Sequence, residues 1–251
     1  MIIIGSTAIK KLFPDFPREP KDLDIAIESK KGYNVRNSKE VEYLVNPVLV
    51  NWIWSNGYLR TEINADELLT LKMSHILYDI NWDKHMFDIQ FLLDKGAKKI
   101  EPLYNDLVKF WKEHLPYNKR SDLTLEKEEF FDNNINNNSE YEHDFIHTLL
   151  NPTPLYTKVL MDGKSVELDP DKFDALTHEE KIWFIKEEVM VMAWERFKRA
   201  PYPIAYALML KKFIRQHIPL FALDFAIYNY KELIKLPHNY IKQINDELQK
   251  V

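Results

Sequence analysis

Strand-like and helix-like segments alternate along the first hundred residues of this chain, and this alternation constrains the fold more than any other feature. Residues 2–4 are three isoleucines, and residues 22–27 begin with the polar and apolar alternation of a half-buried strand. Residues 41–50 form another strand-type run, in which Pro47 favours an edge or an end. This mixture predicts an α/β (α+β) fold with a small mixed sheet and flanking helices.

A capping signature predicts a helix after these strands. Asn64 and Glu67 are three residues apart, as in a capping box, and apolar residues follow at helical spacing: Leu69, Met73, Ile76 and Ile80. Residues 86–93 are mostly apolar and precede Asp94-Lys95-Gly96, which predicts a further strand. We expect Asp88 to lie on that strand.

The rest of the chain is predicted to be mainly helical, with helices at residues 102–114, 177–199, 203–216 and 219–234. The polar, asparagine-rich residues 132–141 predict a loop. Asp162-Gly163 predicts the turn of a β-hairpin within residues 156–168. We therefore expect an α/β domain at residues 1–100 and a helical domain with one hairpin at residues 101–251.

Composition excludes several classes of protein. The 251 residues include no cysteine, which excludes disulfide scaffolds, thiolate metal sites and cysteine nucleophiles. The five glycines lie far apart, so the chain has no glycine-rich phosphate-binding loop. The formal net charge is −5, so an RNA or DNA acceptor would need a local basic patch. The candidate patch consists of Lys109, Lys112, Lys119 and Arg120, which could equally be a solvated helix face and the loop after it.

Targeting and membrane segments are not evident. The chain begins Met-Ile-Ile-Ile-Gly without the basic lead of a signal peptide. Its most apolar stretches, residues 202–210 and 218–227, are too short to span a bilayer. We expect a cytoplasmic protein with no membrane partner.

Acidic residues of the first domain form a candidate metal site. Asp22 and Asp24 are two positions apart on a predicted strand, so their side chains share a face. Adjacent carboxylates repel unless a cation lies between them, and hard oxygen ligands suit Mg²⁺ or Mn²⁺. Asp88 is the expected third ligand. Two alternatives stay open: the Asp-x-Asp pair is an ordinary surface feature, and Asp88 caps a turn or pairs with a lysine.

Gly5 and Ser6 are candidate phosphate-binding residues. They directly follow the first predicted strand and begin a predicted helix. The glycine would let a phosphate chain approach the backbone, while the serine hydroxyl and the helix N-terminus would donate hydrogen bonds to phosphate oxygens.

The order of these motifs resembles the DNA polymerase β-like nucleotidyltransferase superfamily over about residues 1–95. The resemblance implies Mg²⁺- or Mn²⁺-dependent transfer of a nucleoside monophosphate from a nucleoside triphosphate to a hydroxyl acceptor on a nucleic acid, a protein or a small molecule. It implies that Asp22 and Asp24 bind both metal ions, and that Asp88 completes the site and helps to deprotonate the acceptor. The chain departs from the superfamily pattern in the spacer between Ser6 and Asp22, where residues 7–21 contain three prolines and must include a loop.

Other segments of the chain are similar to proteins of phages and large DNA viruses that are predicted to be nucleotidyltransferases. These segments are residues 71–75, 143–147 and 187–196. A viral origin would place the protein in the cytoplasm of the host.

Two further groups could contribute to a site. Lys72 and His75 are three residues apart on the capped helix and could bind the triphosphate or the acceptor, or could simply be solvated. His143, Asp144 and His147 have metal-ligand spacing. They favour a hydrogen-bonded cluster or an acceptor-binding surface, and a metal-dependent phosphohydrolase is a weaker alternative. A catalytically silent protein that binds a nucleotide or a partner is the alternative for the whole chain.

Overall fold

The computed structural model describes residues 1–31, 35–57, 60–76, 82–114, 170–197, 203–218 and 220–236. The chain divides into two compact units, Met1–Leu123 and Thr124–Val251. The first unit therefore extends past residue 100 and includes the helix that we assigned to the second domain.

A mixed sheet of three strands lies in the described part of the first unit. The strands are β1 (Ile2–Ile4), β2 (Leu23–Ile27) and β3 (Val41–Val45). The central strand, β2, is antiparallel to β1 and parallel to β3. This sheet confirms the α+β class expected from the sequence.

Five helices of the first unit are described: α1 (Gly5–Leu12), α2 (Pro47–Ser55), α3 (Ala65–His75), α4 (Trp82–Asp94) and α5 (Glu101–His114). Helix α3 packs against α1, α4 and α5, and eight of its eleven residues are buried. The predicted capping box is confirmed. The backbone N–H of Glu67 donates to Asn64 Oδ1 at 2.9 Å, and the backbone N–H of Asn64 donates to Glu67 Oε2 at 3.0 Å.

The strand predicted over residues 41–50 ends early. Strand β3 stops at Val45, and Pro47 is the first residue of α2. Asn46 caps this helix, since its Oδ1 accepts a hydrogen bond from the Leu49 amide at 2.9 Å. An asparagine cap followed by proline at the first helical position favours a helix strongly enough to override the β-branched composition of the segment.

The strand predicted over residues 86–93 is wrong, because these residues belong to helix α4. Trp82, Met86 and Ile89 are buried at helical spacing, whereas Phe87 is 47% exposed. A short apolar run does not distinguish a strand from a buried helix by periodicity alone. Asp88 therefore lies on a helix and not on the sheet.

The proline-containing spacer between α1 and β2, residues 13–22, packs along α4. Phe16 is fully buried, and its ring centroid lies 4.9 Å from that of Phe91 and 6.2 Å from that of Phe87. The spacer end is also attached to α1, since the Thr7 hydroxyl donates to the Asp22 carbonyl at 2.9 Å. These contacts hold the segment that leads into β2.

The described part of the second unit is helical. Its helices are α6 (Pro170–Ala175), α7 (His178–Phe197), α8 (Pro203–Lys212), α9 (Leu220–Tyr228) and α10 (Tyr230–Leu233), with a π-helix at Phe213–His217. None of the described helices combines the length and the apolar character needed to cross a bilayer. The loop at residues 132–141 and the hairpin at residues 156–168 lie outside the described residues.

Candidate functional site

A pocket of about 240 Å³, here called the sheet pocket, lies beside the sheet of the first unit. An acidic row forms the sheet side of its lining and consists of Asp22, which directly precedes β2, Asp24 on β2 and Glu42 on β3. Two helices, α3 and α4, contribute the helix side, which consists of Lys72, His75, Lys84 and His85. Acidic and basic side chains therefore line one cavity.

Strand pairing assembles the acidic row. Asp24 on β2 is in register with Glu42 on β3, and Asp22 precedes Asp24 by two residues. Neighbouring residues in register point to the same face of a sheet, which places Asp24 and Glu42 side by side. Asp22 lies just before β2 and lines the same pocket, so the three acidic residues meet there.

The electrostatics of the acidic row favour a cation. Burial raises the pKa of the Asp24 carboxyl above its usual value, and the charges of Asp22 and Glu42 raise it further. The charges of Lys72 and Lys84 oppose this shift, but the net direction is upward. Burial and neighbouring negative charges disfavour the ionised form of this carboxyl group, and a positive ion nearby would stabilise it.

Gly5 lies where β1 meets α1, on the lining of the sheet pocket. Its φ angle is +69°, a backbone conformation that residues other than glycine rarely adopt. A Cβ at this position would lie 2.8 Å from Asp24 Cγ and closer still to Oδ2. The space that we assigned to a phosphate chain is therefore taken by the Asp24 carboxylate. Ser6, the neighbouring candidate, is buried within α1 and does not line the sheet pocket.

The helix side carries the predicted pair from α3. Lys72 and His75 both line the sheet pocket, as expected for residues on one helix face. The His75 ring lies 4.8 Å from the Trp111 ring, at an interplanar angle of 31°, and meets the His85 ring edge-on at 5.7 Å. The Trp111 indole N–H donates to the Ser74 hydroxyl at 3.1 Å, which fixes the tryptophan behind His75.

Asp88 does not join the acidic row. It is fully buried on α4 and does not line the sheet pocket. Arg18 Nη2 lies 2.7 Å from both of its carboxylate oxygens, and Lys72 Nζ lies 2.8 Å from Oδ2. The alternative of pairing with a lysine is thus correct, because the helical geometry of α4 turns Asp88 towards two cations and away from the sheet.

Glu42 is the third acidic residue of the pocket and was not among the predicted site residues. The sequence does carry a signal for it, since Glu42 is a single acid between Val41 and Tyr43 on a strand-type run. That signal becomes informative only when β3 is known to pair with β2 in the observed register.

The carboxylates of the acidic row are the hard oxygen ligands that a divalent cation prefers. Within the part of the chain that the structure describes, no group of three or more His, Cys, Asp or Glu side chains is arranged to hold a metal ion. Mg²⁺ commonly binds through one or two carboxylates together with substrate phosphates. The acidic row fits this mode, in which the phosphate chain supplies the remaining ligands.

The other candidates are only partly described. Lys109 is exposed on α5, where it lines an open groove together with the acidic residues Asp106 and Glu113. The surface around Lys109 therefore carries both positive and negative charge. The backbone of Lys112 lies on α5, and Lys119 and Arg120 lie outside the described residues, as do His143, Asp144 and His147.

One family comparison identifies the chain. A family described as Domain of unknown function (DUF7275) matches residues 67–248, which is more than half of the sequence. The protein belongs to the DUF7275 family. The DUF7275 match begins within α3, so it includes Lys72 and His75 but starts after all three strands. No curated protein and no solved structure matches the chain.

Proposed function

We propose that this DUF7275 protein is a metal-dependent nucleotidyltransferase that acts in the sheet pocket. It would transfer a nucleoside monophosphate from a nucleoside triphosphate to a hydroxyl of a nucleic acid, a protein or a small molecule. One observation carries this proposal: the acidic row and the lysines of the helix side line the same cavity of about 240 Å³.

The two sides of the pocket complement a metal-bound triphosphate. Asp22 and Asp24 offer hard oxygen ligands to a divalent cation. Lys72 and Lys84 offer positive charge to phosphate oxygens, which lysine binds as a compact point charge. A cavity lined by one sign of charge would favour either a cation or an anion. This cavity carries both signs, so it suits a ligand that combines a cation with an anion, such as a metal-bound triphosphate.

Mg²⁺ or Mn²⁺ would be held by Asp22 and Asp24 and would supply Lewis-acid activation of the acceptor hydroxyl and of the leaving pyrophosphate. The protein's own groups orient the phosphate chain and receive the proton. Glu42 is exposed at the pocket and is available to accept the proton of the acceptor hydroxyl. Asp88 is a poor candidate for that role, because it is buried and paired with two cations.

A transfer assay with the full-length protein tests the proposal. The protein is incubated with Mg²⁺, the four α-labelled nucleoside triphosphates and separate acceptors, namely RNA, DNA, the protein itself and small polyols. We expect label transfer that is lost when Asp22→Asn and Asp24→Asn are combined. Asp15→Asn is the matched control, because Asp15 lies in the spacer, pairs with Lys95 and does not line the pocket.

Binding measurements separate the proposal from its alternative. Calorimetry with Mg²⁺ and each triphosphate would show binding that depends on Asp22 and Asp24 if the pocket takes a metal-bound nucleotide. Such binding without transfer to any acceptor favours the catalytically silent protein. Transfer that persists in the double variant would show that the acidic row is not the site.

A further inference from the structure

Asp88 lies where three parts of the first unit meet. It is carried by α4, and its side chain is 1% exposed. Arg18 reaches it from the spacer between α1 and β2, with Nη2 at 2.7 Å from each carboxylate oxygen. Lys72 reaches it from α3, with Nζ at 2.8 Å from Oδ2. One buried carboxylate thus fixes the ends of two cationic side chains.

The two cations differ in their relation to the sheet pocket. Lys72 lines the pocket, and Arg18 does not. Lys72 is also close enough to the acidic row for its charge to affect Asp24. Of the two cations that pair with Asp88, Lys72 is therefore the one that connects it with the pocket.

Free lysine side chains populate many rotamers, and ordering them costs conformational entropy. The ion pair with Asp88 holds the Lys72 ammonium group in place before any ligand arrives. Preorganisation of this kind increases affinity because less freedom is lost on binding.

We propose that Asp88 is a positioning residue, which holds Lys72 at the edge of the sheet pocket so that Lys72 binds the phosphate chain of a metal-bound triphosphate. This inference rests on the proposed function of the pocket. Asp88 itself does not touch the substrate. Its contribution passes entirely through the Lys72 ammonium group.

Calorimetry with Mg²⁺ and inorganic tripolyphosphate tests this role, since tripolyphosphate carries the phosphate chain without a base. In the full-length protein we expect Asp88→Asn to weaken binding about tenfold or more, and Lys72→Met to do the same. The double variant should bind no more weakly than Lys72→Met alone, because Asp88 has no effect without its lysine. Arg18→Gln is the matched control and should stay within about twofold of the wild type, since it removes the other partner of the same carboxylate.

Two results overturn the proposal. If the losses from Asp88→Asn and Lys72→Met multiply in the double variant, Asp88 acts independently of Lys72. If Arg18→Gln weakens binding as much as Asp88→Asn, the carboxylate serves only to hold the spacer.

A second variant covers the case in which Asp88→Asn does not fold. Combining Arg18→Gln with Asp88→Asn leaves fewer unpaired buried charges than Asp88→Asn alone, so it is less disruptive. This variant should bind tripolyphosphate about tenfold more weakly than Arg18→Gln, and equal binding would refute the positioning role.

Failure of the proposed function is recognisable separately. A wild-type protein that does not bind Mg²⁺ with tripolyphosphate, or binds it equally well without Asp22 and Asp24, refutes both proposals. A wild type that binds through the acidic row, together with an Asp88→Asn variant of unchanged affinity, refutes the positioning role alone.

Discussion

Replacing Gly5 with alanine tests the geometry at the junction of β1 and α1. The new Cβ would lie 2.8 Å from Asp24 Cγ and 3.0 Å from Asp24 Cβ, so the aspartate would have to move. The backbone would also carry a left-handed conformation at φ +69°. Both effects act where the backbone of Gly5 approaches Asp24 of the acidic row.

The cost has two separable parts. A left-handed conformation costs an alanine about 1–2 kcal/mol. Displacing a packed group to admit a methyl costs about 1–3 kcal/mol. We therefore expect Gly5→Ala to lower the free energy of unfolding of the first unit by about 2–5 kcal/mol, a large fraction of the stability of a typical domain.

Gly96 provides the matched control. Its φ angle is +84°, and a Cβ added there would have nothing within 4 Å. Gly96→Ala should therefore show only the backbone cost of about 1–2 kcal/mol. In an Asp24→Ala background, which removes the two nearest atoms, the cost of Gly5→Ala should fall towards that of Gly96→Ala.

Urea unfolding followed by circular dichroism measures these differences. Amide hydrogen exchange of peptides that contain β2 assigns the transition to the first unit. Equal losses for Gly5→Ala and Gly96→Ala, in the presence of Asp24, would refute the close approach of Gly5 to the Asp24 carboxylate.

Three further changes test the acidic row and the capped helix. Asp24→Asn should raise the free energy of unfolding at pH 7, because the raised pKa of Asp24 means that its ionised form destabilises the fold. This gain in stability should vanish below about pH 3.8, where the carboxyl group is protonated in the unfolded chain as well as in the folded one. Glu42→Gln should lower metal-dependent transfer by about 100-fold or more if Glu42 accepts the proton. Asn64→Ala should lower the free energy of unfolding by about 1 kcal/mol through loss of the capping box.

Each of these expectations has a clear contrary outcome. An unchanged or lowered stability of Asp24→Asn at pH 7, measured by urea unfolding, would contradict the repulsion within the acidic row. Glu40→Gln is the control for Glu42→Gln, since Glu40 is exposed just before β3 and does not line the pocket. Equal rates for the two variants would exclude Glu42 from the reaction. If Asn64→Ala leaves the free energy of unfolding unchanged, the cap contributes nothing to the stability of α3.

Local features of the fold were predictable from the sequence. The capping box of α3 depends on two residues three apart, and both of its hydrogen bonds are present. The first strand and the shared position of Lys72 and His75 on one helix face likewise follow from short-range spacing. Such patterns can be predicted because the interacting groups are close in the chain, so the local backbone geometry fixes their distance.

Competing local preferences limited the prediction elsewhere. Residues 47–50 have a strand-type composition, but the asparagine cap and Pro47 start a helix there. Residues 86–93 fit a strand or a buried helix equally well, and packing of α4 against α3 and the spacer decided the outcome. The error moved Asp88 from the expected site to an ion pair with Arg18 and Lys72.

The sequence by itself determined that the chain has an α+β first part with paired acids, and a mainly helical remainder in the region that the structure describes. Only the tertiary structure decided which third carboxyl group joins Asp22 and Asp24, and which group lies against the Gly5 backbone where a Cβ would otherwise be. The physical reason is the range of the interactions. Strand register and helix packing join residues far apart in the chain, and a sequence pattern does not specify which of those distant groups come into contact.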